Sequence, residues 1–189
     1  MRPTRTMSHK SGDEMKLSIL FCSLLLISCG NKEAREPAQN SSQDDSRIEQ
    51  TISALYTCLD KAYNGSGLNT DSLIDAYYDR DVRYVTAWGW TEPLDTTKTR
   101  LRNAAHRIKE YNHRIESMQV KSYGSAAYAF FILRQNYLVD GKPLEEYLPT
   151  TLVFEKRGSD WKIVHAHRST DYETIQQYVA LQQKRDVKK

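Results

Sequence analysis

The first half of the chain carries apolar residues at the spacing of α-helices. The first stripe comprises Ile48, Ile52, Leu55, Leu59 and Ala62. The Ser-x-x-Glu pattern at Ser46 and Glu49 is typical of a capping box, so this helix is predicted to begin at Ser46 and to end before the glycines of residues 64–67. Two further helices are predicted to begin near Thr70 and near Asp95, each with apolar residues on one side.

The second half of the chain alternates between apolar and polar residues, as β-strands do. One strand is predicted at residues 82–88, before the third helix. Four more are predicted at residues 115–122, 126–138, 145–155 and 161–169. No helix interrupts these four, and the link Asp140-Gly141 is a strong hairpin signal. Helices followed by an antiparallel meander predict an α+β fold, in which the helices cover one face of a curled sheet.

The hairpins also predict which side chains share a face of the sheet. Pairing Val139 with Lys142 and Lys156 with Trp161 gives one face with an apolar middle and a polar end. The polar end comprises Gln135, Tyr137, Thr150, His165 and His167. We expect the apolar middle to lie under the helices and the polar end to form the wall of a ligand cavity, where polar groups orient a ligand.

The opposite face of the sheet is also apolar. On the same pairing it carries Tyr128, Phe130, Ile132 and Val153 next to one another. Monomers seldom expose a patch of this kind, so a sheet-to-sheet contact between two copies of the chain is expected to bury it. The sequence therefore predicts a homodimer.

The N-terminal part of the chain resembles the signal sequence of a bacterial lipoprotein. Residues 17–27 form an apolar run that is too short to span a bilayer, and LISC at residues 26–29 resembles the lipoprotein cleavage box. The resemblance implies a signal peptide over residues 1–28, with Met15 as the true start, and a lipid on Cys29. An ordinary secretory signal is the alternative.

Cleavage before Cys29 would divide the rest of the chain into three segments. Residues 29–45 are polar and predict a flexible tether, residues 46–175 predict the folded domain, and residues 176–189 predict a polar, basic tail. The expected location is the cell envelope, on a membrane, facing the periplasm or in the outer membrane. Cleavage removes four basic and two acidic residues and lowers the net charge from +3 to +1. A nearly neutral chain is not expected to bind nucleic acid.

The last predicted strand contains the string DWKIVHAHRS, residues 160–169. With the order of the elements, this string resembles the nuclear-transport-factor-2-like (NTF2-like) superfamily, in its SnoaL-like and ketosteroid-isomerase-like branches, over residues 46–170. It is also similar to the end of the association domain of calcium/calmodulin-dependent protein kinase. The resemblance implies a cone-shaped sheet around a pocket, the cystatin/NTF2-like α+β barrel, usually as a dimer. In the kinase domain the arginine matching Arg168 belongs to a carboxylate-binding pocket, whereas Leu133 and Leu152 stand where that pocket has other arginines.

The predicted function is the binding of a small, largely apolar ligand, without a cofactor. The predicted contacts are Gln135, Tyr137, Thr150, His165 and His167 in the wall, Trp88 and Trp90 at the mouth, and Arg168 at the rim. Two alternatives stay open: an acid–base isomerase or hydrolase in which His165 or His167 is the general base, and a lipid-tethered scaffold module. A metal site at the two histidines is not expected, because only Glu146 could add a further ligand.

Overall fold

The computed structural model describes residues 38–186, with side chains described for residues 41–180. Its elements are α1 (Ala38–Tyr63), α2 (Thr70–Tyr77), β1 (Tyr78–Val85), β2 (Thr91–Glu92), α3 (Leu94–Arg107), β3 (Ile108–Tyr123), β4 (Ala126–Val139), β5 (Lys142–Arg157), β6 (Asp160–Arg168) and α4 (Tyr172–Asp186). The predicted signal peptide and the predicted lipidation site at Cys29 lie outside the described residues.

Six strands form one curled, unclosed sheet in the order β2-β1-β6-β5-β4-β3. Strands β3 to β6 are the antiparallel meander that the sequence predicts. Strand β1 extends the sheet by pairing with β6 in parallel, which differs from the wholly antiparallel prediction. A parallel pair requires a crossover connection, and the long chain between β1 and β6 provides one. The α+β class with a curled sheet is confirmed.

Two bulges bend β3, the edge strand of the meander. Glu110 and Ser117 lie where β3 has one residue more than its partner β4. Their φ angles of 53° and 54° place both residues in the left-handed region, which is typical of such bulges. Bulges increase the local twist, so they help the long strands to curl around the helices.

Helix α1 begins at Ala38, eight residues before the predicted cap. The prediction of a capping box at Ser46 is wrong, because the Ser46 hydroxyl donates to the Ser42 carbonyl oxygen within the helix. The preceding turn is tied to the sheet: Asp45 Oδ1 accepts the backbone N–H of Ser122 at 2.7 Å. Ser122 is on the edge strand β3, and the carboxylate satisfies an N–H that has no neighbouring strand.

Helix α4 occupies much of the segment that the sequence predicts to be a polar tail. Its first turn is fixed by Asp171, whose carboxylate oxygen Oδ1 accepts the backbone N–H of Thr174 at 2.8 Å. This contact is a typical N-cap. Thr174 is itself buried, so α4 is part of the folded domain.

The core lies between α1 and the inner face of the meander. The fully buried side chains include Ile48, Ile52, Tyr56, Phe131, Leu133, Leu152, Phe154 and Ile163. The Tyr56 ring meets the Phe131 ring edge-on, with 5.8 Å between the centroids. The predicted inward orientation of the apolar middle of the sheet is therefore correct for β4, β5 and the first half of β6.

Candidate functional site

A cavity of about 740 Å³ lies next to this core. Each of the ten elements contributes at least one side chain to its lining. Most of the lining is apolar or aromatic, with a few polar groups among the rings, which is typical of small-molecule sites. Trp90 is 70% exposed and Trp88 is 39% exposed, and both line the cavity from the loop after β1.

The guanidinium of Arg168, a residue that is half-buried overall, is one of the charged groups that line the cavity. Its Nη2 donates to the Tyr56 hydroxyl at 2.8 Å. Its Cζ lies 5.8 Å from the centroid of the Tyr56 ring and 5.6 Å from that of Tyr84, both within cation–π range. Its Nε is buried without a hydrogen-bond partner. Among the described residues, no carboxylate makes an ion pair with Arg168.

The sequence predicts Arg168 at the rim and on the outer face, and this placement is wrong. A bulge at Val164 breaks the alternation of β6: Ile163 is opposite Phe154, but His165 is opposite Val153. From this point each side chain of β6 lies on the opposite face from the predicted one. Arg168 is therefore opposite the buried Thr150 and turns inward.

The same bulge turns His165 and His167 away from the cavity, so their predicted place in its wall is wrong. They are opposite Val153 and Thr151 on the outer face. His165 is half-buried and His167 is exposed, and neither lines the cavity. Ala166, between them, is fully buried. In the acid–base alternative, a general base at His165 or His167 would therefore not face the cavity.

The other predicted contacts fall into two groups. Gln135, Tyr137, Trp88 and Trp90 all line the cavity. Gln135 Nε2 donates to the Tyr111 hydroxyl at 2.8 Å, which fixes the amide. Thr150 is fully buried beneath the cavity instead, and its hydroxyl donates to the Leu148 carbonyl oxygen at 2.9 Å. A ligand role for the four cavity residues remains a prediction.

Two tyrosines surround a buried carboxyl at the other end of the cavity. Glu146 is 8% exposed and accepts the hydroxyl of Tyr178 at 2.7 Å. The hydroxyls of Tyr178 and Tyr137 are 2.8 Å apart. Either hydroxyl can be the donor in this second hydrogen bond. The Tyr178 ring meets the Trp88 ring edge-on, with 4.7 Å between centroids. Tyr178 thus contacts both the buried carboxyl, through its hydroxyl, and a tryptophan at the mouth, through its ring.

Burial raises the pKa of Glu146 above its ordinary value. Hydrogen bonds from Tyr178 and Tyr137 and the charges of Arg168 and Arg100 act in the opposite direction, but desolvation is the larger effect. Burial also raises the pKa of both tyrosines, which keeps them neutral and able to donate.

A third polar group of the lining is internally paired. Arg100 donates from Nε and Nη2 to Glu92 Oε1, at 2.8 and 2.6 Å. Thr97 donates to the same oxygen at 3.0 Å, and the guanidinium lies over the Tyr84 ring. Arg100 therefore has its own counter-ion, unlike Arg168.

Sequence reasoning missed Tyr178, Arg100 and Glu92, and it considered Glu146 only as a possible metal ligand. Tyr178 was missed because residues 176–189 were interpreted as a tail. The available signal was Asp171 as a helix cap, followed by Ile175 and Tyr178 at helical spacing. Nothing in the periodicity distinguishes the paired Arg100 and Glu92 from surface charges, because their pairing depends on the tertiary fold.

The described residues contain no cluster of His, Cys, Asp or Glu that could hold a metal ion. Within the same part of the chain, no helix combines the length and the apolar character needed to cross a membrane.

Comparison with known proteins identifies the class of fold. Three solved structures are similar to this chain at 12–17% sequence identity, and at this identity they establish the fold alone. A putative scytalone dehydratase from Novosphingobium aromaticivorans has a TM-score of 0.59 and 14% identity, over 70% of this chain and 88% of that one. An NTF2-like superfamily protein from Salmonella enterica has a TM-score of 0.59 and 17% identity, over 68% and 92%.

A putative Ca/calmodulin-dependent kinase II association domain from Exiguobacterium sibiricum has a TM-score of 0.56 and 12% identity, over 72% of this chain and 95% of that one. Together with the family-model match that follows, these structures confirm the predicted membership of the NTF2-like superfamily. The family model of the SnoaL-like domain matches residues 66–173, more than half of the chain. The chain belongs to the SnoaL-like domain family. A search of curated proteins found no match.

The raised pKa of Glu146 predicts a specific pH dependence of stability. The folded chain keeps a proton on Glu146 above about pH 4.5, where the unfolded chain loses it. The free energy of unfolding should therefore fall as the pH rises from this value to the raised pKa, by at most about 1.4 kcal/mol per pH unit. Glu146→Gln should remove this component in urea unfolding measured from pH 4.5 to 8.

Glu145→Gln is the matched control, because the neighbouring Glu145 is exposed. It should leave the pH profile unchanged. Equal profiles for the wild type and Glu146→Gln would contradict the raised pKa.

Proposed function

We propose that the cavity binds a small, largely apolar molecule that carries one acidic group, and that Arg168 pairs with this group. The observation that carries the proposal is a buried guanidinium inside an aromatic cavity, with hydrogen-bonding capacity left over at Nε. Buried charges in proteins are normally paired, so an anionic ligand would complete the site.

The balance of charge in the lining supports the same choice. Arg100 is paired with Glu92, and Arg107 is paired with Asp140 at 2.8 Å. The raised pKa of Glu146 favours its neutral form, so this carboxyl does not fully offset Arg168. Arg168 is therefore the arginine of the described lining without a counter-ion, which favours an anion over a cation or a wholly neutral ligand. Guanidinium groups bind carboxylates with two hydrogen bonds when the approach is open.

The remaining lining suits the apolar body of such a ligand. Tyr63, Tyr111 and Tyr137 supply ring faces, and Trp88 and Trp90 cover the mouth. Gln135, held by Tyr111, supplies a fixed amide beside the rings. The predicted binding role of Gln135, Tyr137, Trp88 and Trp90 is kept in this proposal. His165, His167 and Thr150 have no part in it.

The acid–base alternative loses its histidine base, because both imidazoles lie outside the cavity. Glu146 is the carboxyl that could take this role, but it already accepts the Tyr178 hydroxyl and lies within hydrogen-bonding reach of Tyr137. Binding is therefore the function that the geometry favours.

The first test of the binding proposal compares phenylacetate with its neutral amide, phenylacetamide. Arg168→Met should weaken phenylacetate binding at least tenfold, because a charged hydrogen bond contributes about 1.5–3 kcal/mol, and it should leave phenylacetamide unchanged. Isothermal titration calorimetry gives both affinities.

Arg107→Met is the matched control, because Arg107 also lines the cavity but is paired with Asp140. It should keep most of the phenylacetate affinity. Melting temperatures would show whether each variant is folded, and Arg168→Lys offers a less disruptive change. Phenylacetate that binds equally to the wild type and both Arg168 variants would refute the proposal.

We also propose that the domain is attached to the cell envelope through a lipid on Cys29. The support is the apolar run of residues 17–27 followed by LISC. In a bacterial host, the wild type should fractionate with membranes and incorporate labelled palmitate. Cys29→Ala should lose the label. A wild type that is released from the membrane without label would point to an ordinary secretory signal instead.

A homodimer through the outer face of the sheet completes the proposal. Tyr128 is 42% exposed, and Phe130, Ile132 and Val153 beside it are only half-buried. Light scattering on the protein without residues 1–28 should give twice the mass of the chain, and Ile132→Lys should halve it. His167→Lys, on the same face but already exposed, is the control. A larger ring in the wild type would favour the scaffold alternative.

A further inference from the structure

The hydroxyl of Tyr178 lies in the cavity where a ligand group would lie. Its ring comes from α4, the last helix of the described residues, and its hydroxyl donates to the buried Glu146 at 2.7 Å. It also shares a hydrogen bond of 2.8 Å with the Tyr137 hydroxyl, in which either group can donate. Its ring meets Trp88 edge-on. The donor, the acceptor and the aromatic contact are the three interactions that a bound phenol would make.

We propose that Glu146, Tyr137 and Trp88 form a subsite for the hydroxyl-bearing end of a ligand, a phenol or an alcohol, and that Tyr178 is a built-in occupant that the ligand displaces. This inference rests on the proposed binding function, since it concerns the opposite end of the same cavity from Arg168. The ligand class becomes narrower: an apolar molecule with an acidic group at one end and a hydroxyl group at the other.

The chemistry of the subsite favours a hydroxyl group over other polar groups. Glu146 and Tyr137 together accept one hydrogen bond and donate one, which is the capacity of a single hydroxyl group. An ammonium group has no acceptor for a hydroxyl that donates, and a carboxylate has no donor for a Glu146 oxygen that accepts. A hydrocarbon would offer neither group a hydrogen bond and would leave Glu146 and Tyr137 only each other, whereas an unmade buried hydrogen bond costs about 1–3 kcal/mol.

The attachment of α4 permits this exchange. The first turn is fixed by the Asp171 cap and by the buried Thr174. The next turn depends on Tyr178 and on a long hydrogen bond of 3.3 Å from the Glu145 N–H to Gln177. Tyr172 and Val179 are 75% and 44% exposed, so they add little apolar burial. Displacing Tyr178 therefore disrupts few other contacts.

The experiment uses p-cresol, which has the shape of a tyrosine side chain, and toluene, which lacks the hydroxyl group. Tyr178→Ala should bind p-cresol at least tenfold more tightly than the wild type does, because the competing phenol is gone. It should also prefer p-cresol to toluene at least tenfold. Tyr178→Phe is the matched control: its ring still fills the subsite, so its affinity for p-cresol should stay within about twofold of the wild type. In Tyr178→Ala/Glu146→Met the preference for p-cresol should disappear.

Equal binding of p-cresol and toluene to Tyr178→Ala would refute the hydroxyl subsite. No gain over the wild type would refute the displacement of Tyr178. A measurement on the wild type guards against misfolded variants: saturating p-cresol should speed hydrogen exchange of the amides of residues 176–180, and unchanged exchange would overturn the proposal. Phenylacetate titrated in the same series separates the two proposals, because Arg168-dependent binding would sustain the function even where the hydroxyl subsite fails.

Discussion

A guanidinium held among neutral tyrosines is the interaction on which the site depends. Arg168 donates a hydrogen bond to the Tyr56 hydroxyl oxygen, and its guanidinium makes cation–π contacts with the rings of Tyr56 and Tyr84. These groups replace part of the hydration that the cation loses, but they carry no negative charge. Tyr56 belongs to α1 and Tyr84 to β1. Their contacts with Arg168 therefore hold both elements against the charged end of β6. Tyr56 lies between the core and the cavity, because its ring packs on Phe131 in the core and its hydroxyl accepts a hydrogen bond from Arg168 in the cavity lining.

The orientation of Arg168 follows from one extra residue in β6. Up to Ile163 the alternation of side chains is regular, so the predicted inward placement of Trp161 and Ile163 is correct. After the bulge at Val164, Ala166 and Arg168 turn inward and the histidines turn outward. Period-two reasoning has no means of detecting this bulge, because Val164 and Ala166 are both apolar and fit either face. The fold class is predictable from the pattern, whereas the identity of the charged cavity residue depends on a single backbone irregularity.

The second limit of sequence reasoning lies in residues 172–186. Their mean character is polar, so composition favours a tail, yet Asp171, Thr174 and Tyr178 each make a specific contact that builds a helix onto the sheet. The same holds for residues 41–45, where Asp45 ties a polar turn to the edge strand β3. In both places hydrogen bonds rather than apolar burial attach the segment to the domain. Such hydrogen bonds leave no trace in the pattern of hydrophobic residues, so that pattern cannot predict them.

The polar groups at Arg168 and at Glu146 differ in charge, so the cavity offers different interactions to the two ends of a ligand. At Arg168 a fixed positive charge is surrounded by hydroxyl and ring groups, and at Glu146 burial favours a neutral carboxyl that hydrogen-bonds with two phenols. A fixed charge selects by sign, whereas a neutral carboxyl selects by hydrogen-bonding pattern, so a ligand of the proposed class, with both features, would bind in one orientation only. The tyrosines between the ends are apolar over their rings and polar at one atom. They can therefore line a cavity for an apolar body while keeping each buried polar group satisfied, which explains why this domain uses tyrosine rather than phenylalanine around the site.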